Sequence, residues 1–408
     1  MKNVVKRKKL GLLLLGIALF GIISTPANSQ QPEQRRIERL EGYLATPEQL
    51  EFDEALVQQL RIPAGFQINV FAKDLGNPRN IAIAPDGTVY VTRREQQDVV
   101  ALRDRNRDGR ADEMRTIASN LPFVNGITIH QGRLYYVTDT SLYASNLGRG
   151  GTVGKPQVLI NDLPDAGQHP NRTISFGPDG MLYISVGSTC NSCDEPNDEH
   201  ATMLRAQPDG SDRTIYAEGL RNTIPFGWHP QTKQFWGLDH GSDWRGNDQP
   251  PEELNLIEQG KHYGWPFCFG DRRPDVYLPA DPEGQSKAEF CATTEPPVLT
   301  YTAHSAPLAM VFYTASQFPQ EYRNDAFVTM RGSWNRNPPV GYKVVRIRYQ
   351  NGKPTAIEDF ITGFLNEQRN AQFGRPVGIG VTPDGSLLFT DDTNGVIYRV
   401  TYAGTANR

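Results

Sequence analysis

The stretch Ile81–Thr92 reads IAIAPDGTVYVT, and Ile174–Gly187 reads ISFGPDGMLYISVG. Each is an alternating apolar strand, a Pro-Asp-Gly turn and a second strand rich in Tyr, Val and Ile, the pattern of a β-hairpin. The same pattern recurs as ITIHQGRLYYVTD (Ile127–Asp139) and IGVTPDGSLLFTDD (Ile379–Asp392), with weaker copies FGWHPQTKQFWGLD (Phe226–Asp239) and FYTASQFPQEYRNDAFVTM (Phe312–Met330). Six hairpins, mostly about 45 to 60 residues apart, predict an all-β fold, a six-bladed β-propeller of four-stranded blades. A β-sandwich is the alternative, but it has no reason to repeat a hairpin at blade spacing. The long gap between the fourth and fifth hairpins holds a Pro- and Cys-rich stretch, about 266–297, read as an insertion on one face. Pro63–Ala72 and Gly395–Tyr402 both read as strands, so one blade is expected to join the chain ends.

Outside the repeats, Lys2, Lys6, Arg7, Lys8 and Lys9 precede an apolar run from Leu10 to Ile23, followed by the small residues Ala27, Asn28 and Ser29. This order predicts a cleavable signal peptide over 1–29 and a periplasmic or secreted protein. Residues 30–56 read as a linker or short helix, and 57–404 as the propeller. Five of the 42 lysines and arginines lie in the leader, leaving 37 against 46 acidic residues, a net charge of −9. That charge argues against nucleic acid as a partner, and no other apolar run is long enough to span a membrane. Four cysteines in an exported chain predict two disulfides. Three pairings are possible, with Cys190–Cys193 and Cys268–Cys291 favoured over a zinc site, because the second pair is too widely spaced for a four-cysteine centre.

The loops flanking the hairpins carry the chemistry. His169 and Arg172 precede the third hairpin, Arg221 and Asn222 the fourth, Arg375 the sixth, and Arg79 with Asn80 the first. Arg at one repeat position in four blades predicts a cationic funnel for an anionic cofactor or substrate, against the plainer reading of blade-to-blade ion pairs. His169 beside Arg172 fits a general base acting on a hydroxyl. The loop Gly237–Ile257 offers Asp243, Asp248, Glu252 and Glu253, oxygen donors suited to Ca2+, a solvated acidic loop being the alternative. A second cation candidate is DRNRDGRAD, with Asp104, Asn106, Asp108 and Asp112 at offsets 1, 3, 5 and 9, although position 12 is Arg115. Trp244, Trp265 and Trp334 stand in polar contexts where an aromatic face can stack on a sugar or a planar cofactor.

These residues lie in ordered blocks: NPRNIAIAPDGTVYV, HPNRTISFGPDGMLYISVGSTCNSC, YAEGLRNTIPFGWHP, LDHGSDWRGNDQPPEELNLI, YGWPFC, HSAPLAMVFY, RGSWNR and GRPVGIGVTPDG. From about Pro63 to Tyr402 the chain resembles the pyrroloquinoline quinone (PQQ)-dependent glucose/sorbosone dehydrogenases, most closely the sorbosone dehydrogenase branch. The resemblance implies oxidation of a sugar or aldose-type substrate by hydride transfer to PQQ, with Ca2+ as Lewis acid. It implies His169 as the base, Arg221 and Asn222 at the quinone carbonyl region, Arg375 on a cofactor carboxylate, and Lys343 as a further contact. It also implies that the backbone carbonyls of Gly241 and Ser242 hold the calcium. Soluble glucose dehydrogenases carry an Asp 19 residues after the His; Ser188 stands there in this chain. A non-catalytic propeller binding a carbohydrate or protein is the competing reading, and a calcium-dependent lactonase a third, opposed by Arg, Asn and His at the channel positions. The electron acceptor and the exact sugar are not readable.

Overall fold

The computed structural model describes residues 42–404 except 166, 279 and 369; the predicted leader and the first part of the linker lie outside the described residues. The quoted hairpins form the first two strands of six antiparallel four-stranded sheets. In chain order these first strands are Pro78–Ile83, Ile127–His130, Thr173–Phe176, Thr223–Trp228, Pro307–Phe312 and Pro376–Val381. In the last sheet the fourth strand is Phe66–Ala72, which pairs antiparallel with Val396–Tyr402 from Phe66 opposite Tyr402 onward, so both ends of the fold share one sheet. Each first strand lies against the first strand of the next sheet, and that of the sixth lies against that of the first.

The core is divided in the same way. Successive side chains point to opposite faces, and inner strands such as Leu182–Val186 and Leu387–Asp391 are buried throughout, so both faces of a sheet pack against its neighbours. Tyr135, Val137, Ile174 and Ile184 join the second sheet to the third, while Val91, Val100, Leu388 and Ile397 join the first to the sixth. Burying such a side chain contributes about 1.5–3 kcal/mol each. Phe66, on the terminal strand, packs edge-on against Phe318 and Phe360, at 4.8 and 5.2 Å between centroids.

Two features refine the sequence reading. Residues 42–56 are not a free tether: Glu48–Gln49 pairs with Ala371–Gln372, Asp53 caps a single helical turn over Glu54–Val57, and Phe52 packs on the core. The 266–297 segment enters between the third and fourth strands of the fourth sheet, Glu252–Leu256 and Leu299–Tyr301, and carries the helix Lys287–Thr293. Disulfides join Cys190 to Cys193 and Cys268 to Cys291, as expected. Among the described residues no helix is long and apolar enough to cross a membrane.

Candidate functional site

In an antiparallel hairpin the start of one strand lies beside the end of the next. Thr223 is thus opposite Asp239, and Pro376 opposite Asp391. This register explains how the arginine turns are fixed. Asp239 accepts the N–H groups of Arg221 (3.0 Å) and Asn222 (2.8 Å) and the Thr223 hydroxyl, and Asp391 accepts the Arg375 N–H at 3.0 Å. Burial pushes the Asp239 carboxyl up to about 6.

Beside the fourth hairpin is a cavity of about 280 Å³ whose walls include His169, Arg221, Asn222, His240, Gly241 and Glu252. Gln168, Asp243, His304, Trp334 and Asn335 complete much of the rest. His169 Nδ1 lies 2.8 Å from the Ser188 carbonyl and 2.9 Å from its hydroxyl oxygen. The hydroxyl spends its own proton on the Cys190 carbonyl at 2.7 Å, so both Ser188 oxygens can only accept. The network therefore assigns the proton to Nδ1 and leaves Nε2 with a free lone pair. Burial, and after it the Arg221 charge, holds this imidazole down at about 3.

Arg221 is itself clamped. Its Nε donates to the Asn191 carbonyl (3.0 Å), Nη1 to the Gly241 carbonyl (2.9 Å), and Nη2 to Asn191 Oδ1 (2.9 Å) and Asp243 Oδ2 (3.0 Å). Asp243 Oδ1 in turn accepts from Asn335 Nδ2 at 2.7 Å, which fixes the orientation of that amide. The other end of the amide, Asn335 Oδ1, is buried in the protein without a partner. Glu252 accepts the Ala306 N–H at 2.9 Å and, more distantly, that of Gly241; burial pushes its carboxyl up to about 8.

A second polar group gathers around Asp392, the residue after the second strand of the sixth sheet. Arg79 and Arg331 both pair with its carboxylate, Arg331 at 2.9 Å. Burial opposes the charge on Asp392, yet Arg331 and Arg79 hold its carboxyl below the usual range. Arg375 donates to the carbonyls of Arg331 and Gly332, and burial followed by the Arg331 charge brings it down to about 10. Arg79 is lowered to about 10 by burial and by Arg331 and Arg94. Asp391 and Asp392 face this group, with Asp139 and Glu95 beside Arg94, and none of the four arginines lines the cavity that holds His169.

The remaining predicted residues lie elsewhere. Arg172 is fully buried and donates to the carbonyls of Asp139, Pro164 and His169, so it anchors the loop that carries His169 and does not line the cavity. Lys343 pairs with Asp359 at 2.8 Å beside a different cavity. The Asp248 side chain is 88% exposed and pairs with Arg336 at 3.1 Å. Glu253 is buried, accepts the Gly270 N–H, and faces a water-sized space of about 20 Å³ behind Gly241 and Ser242. In the Asp104–Asp112 loop, Asp104 Oδ2 accepts the Gly109 N–H and Asp112 those of Arg105 and Asn106, while Asp104 Oδ1 is buried without a partner. Asp108 likewise accepts the Arg110 N–H. Among the described residues, the one trio of His, Cys, Asp or Glu side chains whose ligand atoms lie within 4.8 Å of one another is Cys190, Cys193 and Glu195, and its sulfurs are joined to each other. Trp244 and Trp334 stand edge to face at 5.1 Å, 44% and 37% exposed, with Trp334 on the cavity wall; Trp265 is buried.

Sequence reasoning passed over Arg94, His240, Arg331 and Asp392 as site residues. Each follows the second strand of a hairpin, and the strand register was the signal that places them beside the arginine turns. It also passed over Asn191 and Asn335, which lie in loops with no periodicity to mark them.

A family model described as TrAA12-like matches residues 60–403. An uncharacterized protein of Borreliella burgdorferi is 30% identical over 86% of this chain and 92% of its own length. An aldose sugar dehydrogenase of Escherichia coli is 32% identical over 60% of this chain, which spans 63% of that enzyme. Among solved structures, the holo form of the pyranose dehydrogenase PQQ domain from Coprinopsis cinerea superposes with a TM-score of 0.71 at 20% identity, covering 88% of this chain and all of that one. At that identity the superposition shows a shared fold.

Proposed function

The chain belongs to the TrAA12-like family, and from that membership and the chemistry of the cavity we propose that it is a PQQ-dependent oxidoreductase of a sugar or aldose-type hydroxyl. The observation that carries this reading is His169: its Nδ1–H is held by Ser188, so Nε2 is free to accept a proton in a cavity shared with Arg221 and Asn222. Bound PQQ supplies a quinone that accepts hydride, and Ca2+ on that quinone supplies Lewis acidity. The protein's part is to bind, orient and take the proton.

The residues present suit a planar tricarboxylate. Arg79, Arg331 and Arg375 gather around Asp391 and Asp392 outside the lining of the His169 cavity, and in this reading they meet the carboxylates of a guest that reaches beyond it. The unpartnered Asn335 Oδ1 calls for a donor, which a substrate hydroxyl supplies and a carboxylate does not. Gly241 and Ser242 are the candidate carbonyl ligands for Ca2+; the Gly241 carbonyl accepts from Arg221 and keeps a second lone pair for a hard cation. Asp248 and the Asp104–Asp112 loop are not part of this reading. Arg172 enters it as the anchor of the His169 loop, and Lys343 is left to its pair with Asp359.

Six blades around one axis, formed by residues 57–404, is the architecture we propose for the six sheets. The succession of first strands and the apolar clusters between neighbouring sheets support it. Export through the 1–29 leader is supported by its basic, apolar and small-residue order and by the two disulfides. Reconstituting the purified protein with PQQ and Ca2+, then screening aldoses with a redox dye, tests the activity. Dye reduction that requires both additives is expected, and none with any aldose overturns the reading.

A further inference from the structure

The loop between the strands Leu182–Val186 and Thr202–Ala206 has no ladder of its own, yet it carries much of the cavity's scaffold. At its turn, Asn191 stands inside the ring closed by Cys190–Cys193 and does not itself line the cavity. Its carbonyl accepts from Arg221 Nε (3.0 Å), Ser242 Oγ (3.3 Å) and Trp265 Nε1 (3.3 Å). Its Oδ1 accepts from Arg221 Nη2 (2.9 Å) and from the Asp243 N–H (2.7 Å), and its Nδ2 donates to the Asp243 carbonyl (3.0 Å). Next to it, the Cys190 carbonyl takes the Ser188 hydroxyl proton that leaves both Ser188 oxygens to His169.

We infer that Asn191 is a positioning residue, setting the guanidinium of Arg221 and the carboxylate of Asp243 for whatever the cavity binds. The chemistry requires a side chain with both an acceptor and a donor on one plane. Oδ1 is shared by a cation and a backbone N–H, while Nδ2 closes a two-bond clasp on Asp243. Without the amide, Arg221 keeps the Asn191 carbonyl and its ion pair with Asp243, but the Asp243 backbone loses both bonds to Asn191, so the pair is no longer tied to the loop through Asp243. This inference rests on the reading of the cavity as the cofactor site for its functional consequence, but the clasp itself does not.

The test uses the full mature protein and two readouts. Without ligand, the amide exchange of Asp243 reports the bond to Asn191 Oδ1. In Asn191→Ala it is expected to be at least tenfold faster, with the sheet amides unchanged. With ligand, PQQ titration in excess Ca2+ is expected to give a dissociation constant about 10- to 100-fold weaker, the scale of a lost bond to a charged group. In an Arg221→Lys background the same substitution is expected to add less than threefold, because the two residues act as one unit. If the alanine variant does not fold, Asn191→Asp serves, because it keeps the acceptor bonds and sets an oxygen against the Asp243 carbonyl in place of the donor; PQQ affinity at least threefold weaker is then expected, and wild-type affinity overturns the inference. Asp243 exchange within twofold of wild type in Asn191→Ala, or fully additive losses with Arg221→Lys, overturns the inference. If the wild-type protein fails to bind PQQ, the cofactor reading falls, and Asp243 exchange alone decides the positioning role.

Discussion

Nδ1 of His169 lies 2.8 Å from the backbone carbonyl of Ser188, so the imidazole is oriented by a main-chain acceptor that no side-chain substitution removes. Where soluble glucose dehydrogenases are expected to place an Asp, this chain uses the carbonyl and adds a neutral hydroxyl. The ring is held in the useful tautomer without a carboxylate to stabilise its charged form.

Substituting Ser188→Ala should therefore cost little. The hydroxyl is one neutral hydrogen bond, worth about 0.5–1.5 kcal/mol, and kcat should fall about 2- to 10-fold. His169→Ala should instead lower kcat about 10²–10⁴-fold while PQQ still binds. Steady-state kinetics beside a PQQ titration separates the two; equal losses would contradict the assigned role of the carbonyl.

The pH profile follows from the same environment. Burial and Arg221 bring the His169 pKa down to about 3, so the free enzyme holds its base neutral well below the ordinary histidine value of 6.5. The acid limb of kcat/KM should lie below pH 5, with a flat profile from pH 5 to 7 once other groups are accounted for by His169→Ala. A limb between pH 6 and 7 would show that the imidazole is more solvated than this geometry makes it.

The hairpins were legible because period-2 alternation and Pro-Asp-Gly turns are local features. The arginines were legible as residues that open the hairpins, but the registers separate them: Arg79 follows the Pro78–Arg93 pair, while Arg375 and Arg221 precede Pro376–Asp391 and Thr223–Asp239. Arg172, two residues before Ile174 as Arg79 is before Ile81, is buried among three carbonyls. Asp248 and Glu253 are five residues apart in an acidic loop, yet one is exposed and the other buried, a difference set by the strand Glu252–Leu256 and invisible in composition. Asn191 and Asn335 act through partners 30 to 92 residues away, and no spacing rule announces such contacts.

Stability should fall as pH rises from 6.5 to 8. Burial raises Glu252 and Glu253 to about 8 from an ordinary 4.5, so the folded chain keeps protons that the unfolded chain releases. Their contribution is fully present below pH 4.5 and is lost as pH rises through 8. His169 and His240, lowered to about 3 and about 4, act in the opposite sense below pH 6.5 and leave the upper window to the glutamates. Melting in chelator at pH 6.5 and 8 should show the drop, reduced in Glu253→Gln; a higher Tm at pH 8 would contradict the assignment.

The two disulfides should differ in what they protect. Cys268–Cys291 closes 23 residues of the insertion and should contribute about 3 kcal/mol in the chain-entropy model. Cys190–Cys193 closes a three-residue step, so serine replacements there should lower Tm less. Through Asn191 they should weaken PQQ binding more than replacements at 268 and 291. Calorimetry and titration of the two double variants check this; an equal ratio of the two losses in both would contradict it.

The most direct measurement is PQQ titration into the cofactor-free protein, followed by quinone absorbance, with Ca2+ and with chelator. Gly241 and Ser242 offer mainly carbonyls, so the loop alone holds Ca2+ weakly and metal and cofactor should bind as a linked pair. The account predicts saturable binding at one site with Ca2+, much weaker binding with chelator, and loss of affinity in Arg221→Ala. No binding under either condition, or equal affinity in both and in Arg221→Ala, would contradict it.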